Sequence, residues 1–259
     1  MTIVSIISLV LLGLFAGSLS GLLGIGGGVI LIPALVFLFG LTQHLAQGTT
    51  LTLMVPPIGL LAAITYFKRG YVNLKIAALI CSGFAVGGFL GAKLANGLSG
   101  ITLERVFGIC LLLVVFQIFA MKDRKLTAAN PIFHVQQNSA FSMALFILLG
   151  VMVGYLSGLI GIGGGIILVP ALVFLFGMSQ HEAQGTTLAL MIPPIGLPAA
   201  IEYYQHGNVD LLMAGIICCS FVLGALAGAR FAIYLPSHIL SKIFGVFLIM
   251  IAIKMVFAS

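Results

Sequence analysis

Two glycine runs have the composition and spacing to do chemistry: Gly24-Ile-Gly-Gly-Gly28 and Gly161-Ile-Gly-Gly-Gly165. Clustered glycines disfavour a helix by about 1 kcal/mol each relative to alanine. A helix that restarts after such a break opens with amides lacking an intrahelical acceptor and with the positive end of its dipole. That combination suits an oxygen-rich anion. Gly26, Gly27 and Gly28, with Gly163, Gly164 and Gly165, are therefore candidate substrate ligands. The plainer alternative is close helix packing. A dinucleotide-binding loop is excluded, because no strand precedes the run and position 44 is His rather than an acid.

Gln47-Gly-Thr-Thr50 and Gln184-Gly-Thr-Thr187 form a second matched pair. Gln47, Thr49, Thr50, Gln184, Thr186 and Thr187 could complete the hydrogen bonding of an anion without fixing a cation in apolar surroundings. Equally, the threonines could bond the carbonyl of the preceding turn. Pro56-Pro57 and Pro193-Pro194 follow. Proline removes a backbone donor and clashes with the turn before it, so kinked or unwound helices are predicted here, with a gating hinge as the functional reading. His44 and His181 recur three residues before each Gln, and Glu202 is an acid expected inside a span. These three are the candidates for proton coupling, against helix capping for each His. The equivalent of Glu202 in the first half is Thr65.

Composition sets the elements that must position these residues. Of 259 residues, 61% are hydrophobic and only 6% charged, against about 25% charged in a soluble domain. With a mean hydropathy of +1.29, there is too little polar surface to wet a globule. A soluble enzyme, a nucleic-acid binder and a disordered chain are excluded. The net charge of +6 does not revive nucleic acid, since the bases sit in short loops between apolar runs. Those runs, such as Leu9–Phe15 and Ile109–Val115, do not alternate as barrel strands would. They read as helices, because backbone groups in lipid must be satisfied within the segment. The first charged residue is Lys68, so the start lacks the basic region of a cleavable signal. Cys81, Cys110, Cys218 and Cys219 show no metal-ligand spacing. No metal or cofactor is expected, and no H-E-x-x-H or G-x-S-x-G motif suggests an enzyme.

The chain is duplicated. Residues 17–74 align with 154–211 at a constant offset of 137, with 42 of 58 positions identical. Apolar segments are expected at 3–23, 24–40, 45–67, 74–97 and 101–121, and again at 140–160, 161–177, 182–204, 211–234 and 238–257. The domains are then a first membrane repeat at 1–121, a cytoplasmic linker at 122–139 and a second membrane repeat at 140–259. An odd number of segments would insert the second copy upside down. Lys68, Arg69 and Lys75 become Gln205, His206 and Leu212 in that copy, as expected if the loops lie on opposite faces and basic residues stay inside. With both termini outside, Lys68, Arg69, Lys75, Lys122, Arg124, Lys125, Arg230 and Lys242 fall at the inner side. The expected fold class is an all-α integral membrane protein of two inverted repeats of about five transmembrane segments, with Gly/Pro-broken helices. Small residues spaced by four, Gly83-x3-Gly87-x3-Gly91 and Ser220-x3-Gly224-x3-Gly228, mark a packed helix face.

In these motifs the sequence resembles the sulfite exporter TauE/SafE family, also called the toluene sulfonate uptake permease family. The resemblance is carried by Gly21–Gly28 with Pro33, Gly48-Thr49 and the Lys68-Arg69-Gly70-x-Val72 loop. Their copies are Gly158–Gly165 with Pro170, Gly185-Thr186 and Gly207-Asn-Val-Asp210. Gln205-His206 stands where a second basic pair would be expected. The resemblance implies a bacterial or archaeal inner-membrane permease for a small sulfur-containing or organic anion such as sulfite, a sulfonate or sulfoacetate. The expected function is therefore a secondary transporter working by alternating access, with proton coupling left open and a passive anion channel as the alternative. Its partners are the small anion and membrane lipid, with no nucleic acid; a homo-oligomer is compatible with the chain.

Overall fold

The computed structural model describes residues 3–23, 26–56, 60–120, 139–231, 249 and 255. These are helical, with no strand among them. The first half runs α1 (Ile3–Leu23), α2 (Gly28–Phe39), α3 (Gln43–Leu53), α4 (Leu60–Lys68), α5 (Leu74–Gly97) and α6 (Gly100–Ala120). The second runs α7 (Ala140–Ile160), α8 (Gly165–Phe176), α9 (Gln180–Leu190), α10 (Leu197–Gln205) and α11 (Leu211–Phe231). Elements α8, α9 and α10 begin and end 137 residues after α2, α3 and α4, so the sequence repeat is also a repeat of helix boundaries. Linker residues 122–138, Pro57 and most of the expected last segment, 238–257, lie outside the described residues, as do Lys122, Arg124, Lys125 and Lys242.

Four helices among the described residues are long and apolar enough to cross a membrane, within α1, α5, α7 and α11. They expose large apolar side chains outward, including Ile3 and Phe15 on α1, Val86 on α5, Phe141 on α7 and Leu223 on α11, an outer surface suited to lipid. Helices α2 and α8 have 12 residues each, about 18 Å at 1.5 Å per residue. Neither alone crosses a hydrocarbon core of about 30 Å. Each ends at a left-handed glycine, Gly40 (φ 68°) or Gly177 (φ 69°). The next helix is capped at once, α3 by Thr42 and α9 by Ser179, which forms a capping box with Glu182. The expected segments 45–67 and 182–204 are each split in two. Helix α3 stops at Leu53 and α4 starts at Leu60; α9 stops at Leu190 and α10 starts at Leu197, across Pro193 and Pro194.

The long helices pair across the halves, α5 with α7 and α1 with α11. Small residues set both contacts. A Cβ on Gly83, Gly87 or Gly91 would overlap the carbonyl oxygens of Ile147, Val151 and Tyr155 in turn. On the facing helix, Gly150, Gly154 and Gly158 meet the carbonyls of Ile80, Phe84 and Gly88. The rising numbers on both sides mean that α5 and α7 run in the same direction. Gly13 and Gly17 of α1 meet Ile217 and Phe221 of α11 in the same sense, and Gly224 and Gly228 return the contact to Leu14 and Ser18. Backbone contact of this closeness is what small-residue stripes give membrane helices. The broken helices also pack on the opposite half, α10 against α3 and α5, and α4 against α9. The Asn208 side-chain amide donates to Asn96 Oδ1 at 2.9 Å, so the segment leading into α11 rests on the last turn of α5.

Candidate substrate chamber

The glycine runs break the helices. Gly26 and Gly163 both take φ +74°, a left-handed conformation open to glycine and costly for other residues. Helices α2 and α8 restart behind them at Gly28 and Gly165, with no side-chain cap at Gly27 or Gly164. The two runs face each other: a Cβ on Gly28 would meet the Gly161 carbonyl at 2.6 Å and the Ile162 carbonyl at 2.8 Å. The amides of Gly28, Val29, Gly165 and Ile166 open their helices, in the first turn where a helix supplies its own amides no acceptor.

Beside these breaks lies a cavity of about 50 Å³, room for about three or four water-sized spheres. Its walls come in pairs 137 residues apart: Ser20 and Ser157, Gly21 and Gly158, Gly26 and Gly163, Leu51 and Leu188, Met54 and Met191, Phe84 and Phe221, Gly88 and Ala225. Gly164, Ile195, Gly196 and Ala199 also line it. Among the described residues, no charged side chain does. The Phe221 ring packs on Gly27 and the Phe84 ring on Gly164, so each half's aromatic residue sits over the other half's glycine break. The turns after α3 and α9 reach the chamber as well, at Met54, Met191, Ile195 and Gly196. Pro56 belongs to the first of these turns and Pro193 with Pro194 to the second.

The residues singled out from sequence therefore separate into groups. Gly26, Gly163 and Gly164 line the chamber, and Gly27, Gly28 and Gly165 stand directly beside it. The Gln-Gly-Thr-Thr motifs do not line it; they hold the opposite half. The Tyr203 hydroxyl donates to Gln47 Oε1 at 2.8 Å, and the Tyr66 hydroxyl donates to Gln184 Oε1 at 3.2 Å. Thr49 Oγ1 accepts from the Asp210 amide at 3.0 Å, and Thr186 Oγ1 from the Asn73 amide at 3.1 Å. Gly48 and Gly185 let the Asn208 and Tyr71 carbonyls approach, where a Cβ would collide. All four bonds join positions of opposite halves and come in pairs related by the same offset. The Gln47 side-chain nitrogen and the hydroxyls of Thr50 and Thr187 are buried with no partner among the described residues.

The proton-coupling candidates lie apart from the chamber walls. His44 Nε2 is 3.0 Å from the Ala95 carbonyl, a cap on the end of α5. The His181 ring lies 5.4 Å from Tyr71 and 6.4 Å from Tyr66, centre to centre. Glu202 is buried, with Oε1 3.7 Å from His206 Nδ1. Cys81, Cys110 and Cys218 are half-buried free thiols away from the chamber. Tyr66, Tyr203, Ser20 and Ser157 were not singled out from sequence. The available signal was that each is a polar group inside an apolar segment, present in both copies.

The sulfite exporter TauE/SafE family model matches residues 9–255. The chain is 30% identical over 268 residues to a probable membrane transporter protein of Xylella fastidiosa, covering 100% of this chain and 98% of that one. It is 29% identical over 239 residues to the probable membrane transporter protein YdhB of Bacillus subtilis, covering 90% and 93%. A probable membrane transporter protein of Methanocaldococcus jannaschii is 29% identical over 262 residues, covering 92% of each chain. No solved structure matches the chain significantly.

Proposed function

The chain belongs to the sulfite exporter TauE/SafE family and is a membrane transporter, and from that premise we propose that it is a secondary transporter carrying a small sulfur-containing or organic anion by alternating access. The observation that carries the reading is the chamber itself. Most of its walls come in 137-residue pairs, and it is bordered by the breaks after α1, α3, α7 and α9. In transporters built from inverted repeats, broken helices aim their ends at a site between the copies. Irregular backbone at membrane depth is tolerated where it lines such a cavity or is buried in protein.

Inversion of the two halves is supported by directions. Helices α5 and α11 are equivalent by the repeat, and the end of α5 adjoins the start of α11 through Asn96 and Asn208. That contact supports their running oppositely, as inverted copies must. Helices α5 and α7 begin on the same side, which puts Lys68, Arg69 and Lys75 on the face where α7 starts and supports that face as cytoplasmic. We read the chain as an inner-membrane protein with both termini outside. Backbone amides at Gly26–Gly28 and Gly163–Gly165 are the proposed anion donors, in a chamber where no described side chain supplies a fixed charge. The unpartnered Gln47 nitrogen and the Thr50 and Thr187 hydroxyls are donors available once the halves rock. The hydrogen bonds of Gln47, Thr49, Gln184 and Thr186 form the contacts across which rocking occurs. Pro56, Pro57, Pro193 and Pro194 are the proposed hinges, and His44, His181 and Glu202 the groups to test for proton coupling.

Reconstituted protein in proteoliposomes tests this. The expected result is saturable uptake of labelled sulfite or a small sulfonate, accelerated when unlabelled anion is trapped on the far side. Uptake that rises linearly with concentration and ignores trapped anion would instead identify a passive channel. Repeating the assay with an imposed pH gradient reads the coupling.

A further inference from the structure

Among serines inside long helices, most bond their own backbone. Ser8 donates to Val4, Ser18 to Leu14 and Ser220 to Ile216, at 2.8–3.0 Å. Ser20 and Ser157 do not. Both line the chamber, and neither hydroxyl has a hydrogen-bond partner among the described residues. Ser157 is only 3% exposed. Ser20 is partly buried. An unpaired hydroxyl as buried as that of Ser157 costs free energy, and its pairing with Ser20 from the other half at the wall of one small cavity points to a ligand.

The charge of that ligand follows from the same wall. Among the described residues, no Lys, Arg or His lines the cavity. The positive character comes from the N-termini of α2 and α8, each equivalent to about half an elementary charge. Their sum of about one charge matches a monoanion. A dianion would leave about one negative charge uncompensated among Leu51, Met54, Phe84 and their counterparts, where burying an unpaired charge is costly. Resting on the transport reading above, we propose that the chamber binds a monoanion and that Ser20 and Ser157 are its specificity-determining ligands. Their hydroxyls donate to two of its oxygens, while the amides opening α2 and α8 hold the remaining charge. Sulfonates, carboxylates and singly protonated sulfite fit this class; sulfate and fully ionised sulfite do not.

Methanesulfonate and sulfate test it, because they share a tetrahedral sulfur and differ in charge. In proteoliposomes, wild-type protein should take up methanesulfonate at least about tenfold better than sulfate, the discrimination expected from one uncompensated charge. Ser20→Ala with Ser157→Ala should raise the methanesulfonate KM by about tenfold, the loss of hydrogen bonds to a charged group. The melting temperature in detergent should stay unchanged, since the hydroxyls hold nothing in the protein. Equal uptake of both ions, or an unchanged KM in the double variant, overturns the proposal while leaving transport standing. Wild-type protein that carries neither of these ions nor sulfite overturns the transport reading, and the proposal with it.

Discussion

The Tyr203 hydroxyl lies 2.8 Å from Gln47 Oε1 and 3.2 Å from the Gly158 carbonyl, tying α10 of the second half to α3 of the first beside the chamber. Tyr203 and Gln47 are both fully buried. Their equivalents, Tyr66 and Gln184, meet at 3.2 Å in a less buried setting. The two contacts are thus copies of one design, tighter on one side than on the other.

Removing the Tyr203 hydroxyl should therefore hurt more than removing its copy. Tyr203→Phe strands a buried Gln47 whose nitrogen already lacks a partner, and an unsatisfied buried polar group costs about 1–3 kcal/mol. Tyr66→Phe should cost less. The melting temperature in detergent reads the difference. Gln47→Leu combined with Tyr203→Phe should recover part of the loss, because the stranded acceptor is gone. Equal losses in the two single variants would refute the asymmetry.

The stripe of α5 offers a packing test with an internal control. Gly87→Ala forces a methyl against the Val151 carbonyl, whereas Gly97→Ala meets nothing within 4 Å. Overpacking of this kind costs about 1–3 kcal/mol, and no side-chain rotation can relieve a clash with backbone. Gly87→Ala should lower the melting temperature clearly and Gly97→Ala should not.

Thr49→Val and Thr186→Val leave the Asp210 and Asn73 amides without their hydroxyl acceptors. Each loses one hydrogen bond worth about 1 kcal/mol, modest for folding. Both bonds span the moving contact of the proposed cycle, so the double variant should reach the membrane and fail in uptake. Full uptake by that variant would remove these threonines from the mechanism.

How far the sequence disclosed all this depends on the kind of information involved. The 137-residue offset is a property of the chain, so matched helix boundaries and a chamber lined in pairs follow from it. The glycine and proline breaks were equally legible, since backbone preference is local. What each polar group touches was not. The Gln-Gly-Thr-Thr motif revealed hydrogen-bonding capacity, but Gln47 meets a tyrosine 156 residues away, and nothing local names it. Ser20 and Ser18 differ by two positions in one apolar helix, yet one lines the chamber and the other bonds Leu14. Which face turns inward depends on a partner helix from the other half.

The left-handed glycines allow strain to be separated from blockage. Gly163 and Gly40 both have φ near +70° (74° and 68°), so alanine at either carries a similar backbone cost of about 1–2 kcal/mol. Their surroundings differ. A Cβ at Gly163 would lie 2.9 Å from the Met54 sulfur, while at Gly40 it meets nothing within 4 Å. Gly163 lines the chamber; Gly40 ends α2 on its far side. Both variants should lose comparable melting temperature in detergent. Only Gly163→Ala should also lose uptake, because its methyl displaces Met54 and takes space from a cavity that holds only a few water-sized spheres. Gly40→Ala should retain most of the wild-type rate per folded molecule. Equal loss of uptake in both would mean that strain alone stops transport, and the glycine breaks would then have no claim on the substrate.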